Sequence, residues 1–444
     1  MRTPICDFVR QYVDSGTLRL HMPGHKGVGK YSERLDITEI KDADSLYEAD
    51  GIIKESEENA SRLFGCRTYY STEGSSHCIR AMLYLISLYA KEKGRNAKIL
   101  AGRNAHKAFL SGAALVDLDV EWIFPSEEES YLSCNVSPSE LETRFSEMDE
   151  LPIALYITSP DYLGNVSDIQ SLSKVCRKYG VLLLVDNAHG AYLKFLPKSE
   201  HPMDLCADIC CDSAHKTLPV LTGGAYLHLS DELPSLFADN VKNALALFGS
   251  TSPSYLILQS LDAVNPMLEK DLPKAISELL PMIGETRQRL CEGGYVFCGD
   301  EKMKLTVNAK KYGYKGIQIA EYLRDHGIEC EFADEDFTVL MPTPATGKEG
   351  LKRLERALIG LPKKTPITEP PPVIAPPKRV CSIREATMSL SESISVKDAV
   401  GRVLAEASVA CPPAVPIVVC GERIEADAVR CFEYYGINTC KVVK

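Results

Sequence analysis

The stretch DICCDSAHKTLP, Asp208–Pro219, decides how the chain is read. It opens on a short apolar run and is followed by a second one, VLTGGAYLHL (Val220–Leu229). Upstream lies a third, VLLLVDNAHGAY (Val181–Tyr192), which ends abruptly in Asp186. Taken alone, adjacent His and Lys residues read as a surface loop. Between two buried strands the same pair is costly, because a buried lysine must be neutralised or partnered.

Working outward, strand-like runs alternate with helical ones from about Ser45 to Ala263. AKILAG, DVEWIF, PIALYIT, VLLLVD, ADICCD and GGAYLHL are short, apolar and partly β-branched. SSHCIRAMLYLISLYAKEKG and SDIQSLSKVCRKYG read as helices, and each ends in Gly, which readily takes the left-handed conformation that closes a helix. The alternation predicts an α/β large domain over residues 45–263 with a mostly parallel sheet. Residues 1–44 read as an N-terminal arm, a short helix followed by the turn-rich HMPGHKGVGK. Residues 264–361 mix long helices with the strands MKLTVNA and FTVLMP, a small α+β domain. In PKKTPITEPPPVIAPPKRV (residues 362–380) the prolines exclude both helix and central strand, so the segment is a stiff linker or is laid over the surface. A small C-terminal α/β domain, residues 381–444, follows.

Bulk properties narrow the classes. The formal charge of −11 argues against wrapping nucleic acid; it is compatible with a cationic small substrate, although solubility explains it equally well. The 16 cysteines form no paired C-x-x-C array, which reads as reduced cytoplasmic thiols, with neither a disulfide framework nor a metal site. No apolar run is long enough to span a bilayer.

In an open α/β sheet, ligands gather at the carboxyl ends of the strands. The turn STEGSSHCIRAM places Gly74, Ser75, Ser76 and His77 ahead of a helix, where free N–H groups and the helix dipole would hold a phosphate; an ordinary capped helix has the same sequence signature. AGRNAHKAF places His106 after a strand. Asp186, with His189 behind it, is a partner for a cation over the sheet, a helix cap or a metal ligand. A hydroxyl-rich turn, a strand-end carboxylate and then Lys216 at the next strand end together suit pyridoxal 5'-phosphate (PLP). The lysine would form the Schiff base, and Asp186 would keep the pyridine nitrogen protonated so that the ring accepts electrons.

LRLHMPGHKG (Leu18–Gly27), DITE (Asp36–Glu39), VDNAHGAY, SAHKTLPVLTGGAYLH, TSPSYLILQSLDA (Thr251–Ala263), REA, AVGR and CPPAVPIVVCGERI (Cys411–Ile424) occur in the order of the Orn/Lys/Arg decarboxylase family, which the chain resembles from about Leu18 onward in the short form without an N-terminal wing. The resemblance implies a fold-type-I, PLP-dependent transferase-like large domain and decarboxylation of lysine, arginine or ornithine to an amine of polyamine metabolism. It makes Lys216 the Schiff-base lysine, Asp186 the pyridine partner and His106 the ring-stacking residue. Ser213 joins Gly74, Ser75, Ser76 and His77 at the phosphate, while His189 and His215 line the site. The family implies a homodimer or higher oligomer with shared sites, so that Ser252 and Tyr255 reach the neighbouring subunit and Glu422 stands near the substrate entrance.

Departures from the family pattern bear on substrate choice. Glu73 and His77 stand where Asn and a small residue are common, Asn187 where an acid is common, Ala214 and Asp161 where Thr is usual, and Cys411 and Ala414 where Tyr and Gly are usual. Glu73, Asp161 and Glu422 are the candidate partners for a cationic substrate side chain. The competing readings are another fold-type-I enzyme, an aminotransferase or lyase, and a catalytically inactive PLP-binding homologue.

Overall fold

The computed structural model describes residues 1–126, 130–406 and 415–444. Two compact units make up the chain, and both are discontinuous in sequence, unlike the linear segments expected above: Met1–Arg95 with Ile169–Lys274, and Asn96–Asp168 with Ala275–Lys444. The strands of the α/β part are β1 (Arg67–Ser71), β2 (Lys98–Gly102), β3 (Asp119–Ile123), β4 (Ala154–Thr158), β5 (Leu182–Asp186), β6 (Ile209–Asp212) and β7 (Ala225–Leu229). Six of them fall on the expected apolar runs. The seventh, β1, carries the more polar sequence RTYYS and was not anticipated.

In the first unit the strands lie in the order β1-β7-β6-β5. β5 and β6 are parallel, with Asp186 opposite Cys211. β7 runs antiparallel to both of its neighbours, setting Asp212 opposite Tyr226 and Cys210 opposite His228. Every residue of β6 and β7 is buried, which is why these strands read as continuous apolar runs with no alternation. The helix Ser75–Glu92 starts directly after the β1 turn. The arm supplies the helix Pro4–Asp14, whose Ile5, Cys6 and Val9 are buried.

In the second unit β2 pairs in parallel with both β3 and β4. A smaller antiparallel sheet has the order β10-β11-β9-β8, from β8 (Phe297–Cys298), β9 (Leu305–Asn308), β10 (Phe332–Ala333) and β11 (Phe337–Leu340). β9 and β11 are the expected MKLTVNA and FTVLMP strands. The chain closes with β12 (Ser391–Ser395) antiparallel to β13 (Thr439–Val443) and the helix Ala426–Tyr434, packed around Leu404, Val418, Ile424, Phe432 and Val442.

The proline-rich segment adopts the second of its two readings and is laid over the surface. The Ile367 N–H donates to the Lys310 carbonyl (2.9 Å) and the Val380 N–H to the Gly421 carbonyl (2.8 Å). The Ala375 N–H donates to the Asp427 carboxylate (2.9 Å). No helix among the described residues is long and apolar enough to cross a membrane.

Candidate active site

The first unit gathers four strand-end turns. After β1, Gly74 has φ 75° and ψ 175°, a conformation essentially confined to glycine, and it delivers Ser75 to the first position of the helix Ser75–Glu92. The first amides of a helix have no acceptor within it, so they face outward as anion donors. Ser213, the residue after β6, donates its hydroxyl to the Ser75 hydroxyl at 2.7 Å. The Gly74 N–H donates to the Gly223 carbonyl at 2.8 Å. Gly223 itself has φ 99°, and a Cβ there would stand 2.8 Å from the Thr72 carbonyl oxygen. Two glycines and two serines from separate turns therefore form one small cradle.

Beside it, Asp186 ends β5 with only 2% of its surface exposed. Its Oδ1 accepts the Ala188 N–H at 3.1 Å, with the Cys211 thiol at 3.8 Å. SAHK is a single helical turn, Ala214–Thr217, in place of the bare loop its sequence suggests. This turn brings Lys216 Nζ to 3.0 Å from His189 Nε2, within hydrogen-bond distance. His215 donates from Nδ1 to the Gly224 carbonyl at 3.0 Å, which fixes the tautomer with the lone pair on Nε2 when the ring is neutral.

The donor set is chemically specific: hydroxyls and helix amides for a phosphate, a buried carboxylate for a cationic ring nitrogen, and an amine for an aldehyde. Among the described residues, the buried Asn187 Oδ1 and Thr217 Oγ1 find no hydrogen-bond partner. An unsatisfied buried polar atom costs roughly 1–3 kcal/mol, so the shell is short of a polar partner. Its residues fit a phosphorylated pyridine aldehyde.

Other expected site residues have different roles. His77 is directed away from the phosphate turn: Nδ1 meets the Ser71 hydroxyl at 2.8 Å and Nε2 the Leu245 carbonyl at 2.7 Å, so both nitrogens are engaged, and burial lowers its pKa. Tyr255 does not reach out to a neighbouring subunit; it is fully buried and donates to the Ala43 and Asp44 carbonyls (3.2 and 2.7 Å), pinning the end of its own arm. Ser252 is exposed. Glu73 makes no ion pair among the described residues; its Oε1 accepts the Ser250 N–H at 2.6 Å. Ala214 is buried, and Asn187 donates to Asp212 at 2.7 Å.

In the second unit, His106 caps the helix Lys107–Val116 by accepting the Ala108 N–H on Nδ1. Asp161 shapes its own turn, accepting from the Leu163 and Asn165 N–H groups (2.9 Å each) and the Asn165 amide (2.7 Å), so its carboxylate is spent locally. Glu422 is equally committed: it accepts from Arg103 and from the Val419 N–H, both at 2.7 Å, and is 4% exposed. Burial raises its pKa, and Arg103 opposes the rise. Cys411 and Ala414 lie outside the described residues. Sequence reading missed three residues behind the cradle, Asp212, His201 and His228, all fully buried. The one local signal was a charged or polar residue inside an otherwise apolar strand, DICCD and AYLHL.

The family model "Orn/Lys/Arg decarboxylase, major domain" matches residues 3–298, and the family's C-terminal domain matches residues 369–439. An arginine decarboxylase of Bacillus subtilis (strain 168) is 28% identical over 462 residues, covering 96% of this chain and 92% of that protein. One from Halalkalibacterium halodurans is 27% identical, covering 95% and 91%. Among solved structures, lysine decarboxylase A from Pseudomonas aeruginosa superposes with a TM-score of 0.82 at 16% identity, over 99% of this chain and 80% of that one. The Francisella novicida lysine decarboxylase LdcF gives 0.79 at 15% identity, over 100% and 81%. At such identities the likeness is one of fold.

Proposed function

Since the chain belongs to the Orn/Lys/Arg decarboxylase family and is an amino-acid decarboxylase, we propose that it converts lysine, arginine or ornithine to the matching amine and carbon dioxide, using PLP held in the first unit. The observation that carries this reading is the 3.0 Å approach of Lys216 to His189, three residues past the strand-end Asp186, together with the Ser75–Ser213 cradle. When bound, PLP supplies an aldehyde and a ring that accepts the electrons released with the carboxylate.

The chain's residues supply the rest. Ser75, Ser76, Ser213 and the first amides of the helix Ser75–Glu92 bind the phosphate. Asp186, buried at the end of β5, would pair with the ring nitrogen of PLP, where low dielectric strengthens the attraction. His189 orients the Lys216 amine, the nucleophile for the aldehyde. His215, held by Gly224, presents Nε2 to the substrate side, and either His215 or Lys216 returns a proton to the substrate Cα. His106 is assigned to the ring face, and Ser252 to a partner subunit's site in an oligomer of at least two chains. All three carboxylates considered for the substrate's cationic end accept hydrogen bonds within the chain: Asp161 in its own turn, Glu422 from Arg103 and Val419, and Glu73 from the Ser250 N–H, which leaves the second oxygen of Glu73 for a cation.

The test is turnover. Enzyme with PLP is incubated with each of the three amino acids, and carbon dioxide and amine are followed by mass. Amine from at least one is expected. Keto acid in place of amine would favour an aminotransferase. No product, with no spectral change on adding any amino acid, would favour the inactive PLP-binding reading.

A further inference from the structure

Behind the cradle lies a buried polar group that the proposed chemistry does not use. Asp212, the last residue of β6, is fully buried, and three side-chain N–H groups fill its carboxylate. Oδ2 accepts from His201 Nε2 (3.0 Å) and His228 Nε2 (3.1 Å), and Oδ1 accepts from Asn187 Nδ2 (2.7 Å).

The second nitrogen of each ring fixes its charge. His201 Nδ1 lies 3.3 Å from the Met203 N–H and accepts from it, so His201 carries one proton and is neutral. His228 Nδ1 meets the Thr68 hydroxyl at 2.9 Å, and that hydroxyl gives its own proton to the Cys66 carbonyl at 3.3 Å. The 2.9 Å contact is then a bond from His228 Nδ1 to the hydroxyl, much shorter than the 3.8 Å approach of the Cys66 thiol to the same nitrogen, and His228 carries both protons. The group is an aspartate–imidazolium pair with a neutral histidine beside it. Phe64, Cys66, Thr68, Tyr226, Cys210 and His201 surround His228, and none of them brings a second formal charge. Burial acts against both charged forms, yet mutual attraction wins: the Asp212 carboxyl lies well below its usual range and His228 is raised.

The position in the chain gives the pair its purpose. Asn187 follows Asp186, and Ser213 follows Asp212. The Asn187–Asp212 bond therefore ties the backbone of the ring-nitrogen partner to that of the phosphate turn, alongside the Asn187 N–H to Cys211 carbonyl bond at 3.0 Å. We propose that Asp212, His228 and Asn187 form a buried charge lock that sets the relative placement of Asp186 and Ser213, with all three acting as positioning residues for the cofactor site; this rests on the PLP reading above.

A metal centre is the rival. His201, Cys210 and Asp212 offer three donor atoms within 4.8 Å of one another. The His201 Nε2, however, directs its proton at the carboxylate, where a metal would need a lone pair.

The test begins on the protein without PLP. Histidine nitrogen NMR at pH about 8, well above the ordinary histidine value, should show one imidazolium, absent in His228→Gln, and one neutral ring lost in His201→Gln. His201→Gln keeps a neutral donor and should bind PLP within about threefold of wild type. His228→Gln and Asn187→Ala should each weaken PLP binding by about tenfold or more, with kcat falling more than KM rises. Asn187→Ala should keep the imidazolium signal, which separates the tie from the ion pair and covers the case in which His228→Gln does not fold. A neutral His228 would overturn the proposal. So would equal PLP affinities in the two glutamine variants, wild-type PLP binding by Asn187→Ala, or about one zinc ion per chain lost in Cys210→Ser. If the wild type fails to bind PLP, the functional reading falls while the NMR result still decides whether the charged pair exists.

Discussion

Gly74→Ala probes the cradle without touching a polar atom. An added Cβ would meet no close neighbour, the nearest atom being His215 Cε1 at 3.9 Å, so the penalty is torsional. At φ 75° and ψ 175° a residue with a Cβ is strained by about 1–3 kcal/mol. The turn can absorb that strain in two ways. If it keeps its shape, the apoprotein loses the full amount of stability. If it relaxes, the Gly74 N–H to Gly223 bond and the His77 N–H to Gly74 carbonyl bond shift, and the Ser75 and Ser213 hydroxyls lose their common focus. Lost stability and lost binding together should then equal the strain, which at the upper end corresponds to about 150-fold in PLP affinity. PLP titration by visible absorbance, paired with denaturant unfolding of the apoprotein, measures both. Gly223→Ala should be worse, because it adds a 2.8 Å approach to the Thr72 carbonyl. A Gly74→Ala protein that matches wild type in both assays would refute this account of the turn.

Three further outcomes follow from named contacts. Glu73→Asn should leave PLP affinity equal or tighter by up to about fivefold, since it removes a negative charge close to a helix N-terminus, while proteolysis near Ser250 should increase with loss of the 2.6 Å tie. Glu422→Gln should destabilise the protein by about 3–5 kcal/mol by leaving Arg103 buried without its counter-charge, with KM unchanged; an altered KM at full stability would return Glu422 to the substrate site. Asp334 is pushed up to about 7 by burial, so the folded state holds its proton more tightly than the unfolded chain does. Its contribution to stability is full below about pH 4 and is lost as pH rises through about 7. Asp334→Asn should therefore raise the thermal midpoint at pH 8, and the gain should shrink between pH 7 and pH 4.

The parts of the fold legible in the sequence are those governed by local pattern. VLLLVD, ADICCD and GGAYLHL became β5, β6 and β7 because strands covered on both faces need unbroken apolar runs. β1 went unseen because RTYYS places polar residues on a strand whose Thr68 and Ser71 are satisfied by His228 and His77, partners far away in sequence or on another element. The strand-end position of Asp186 and the Ser213–Lys216 turn were readable for the same local reason. The Arg103–Glu422 pair spans 319 positions and leaves no local trace, so a buried ion pair was read as a substrate contact. Tyr255 was misjudged similarly: nothing near it in sequence shows that the Ala43 and Asp44 carbonyls take its hydroxyl. His77 looked like a phosphate donor by spacing, but its ring faces back into the helix packing through the Leu245 carbonyl.

Lys216, 3.0 Å from His189, is the residue proposed to hold PLP, and one measurement decides it. The protein is loaded with PLP, reduced with borohydride, digested, and mapped by mass. A single modified peptide containing Ser213-Ala214-His215-Lys216 is expected, with the modification on Lys216 and none in Lys216→Ala. Labelling of a different lysine, or no label on a protein that otherwise folds, would contradict it.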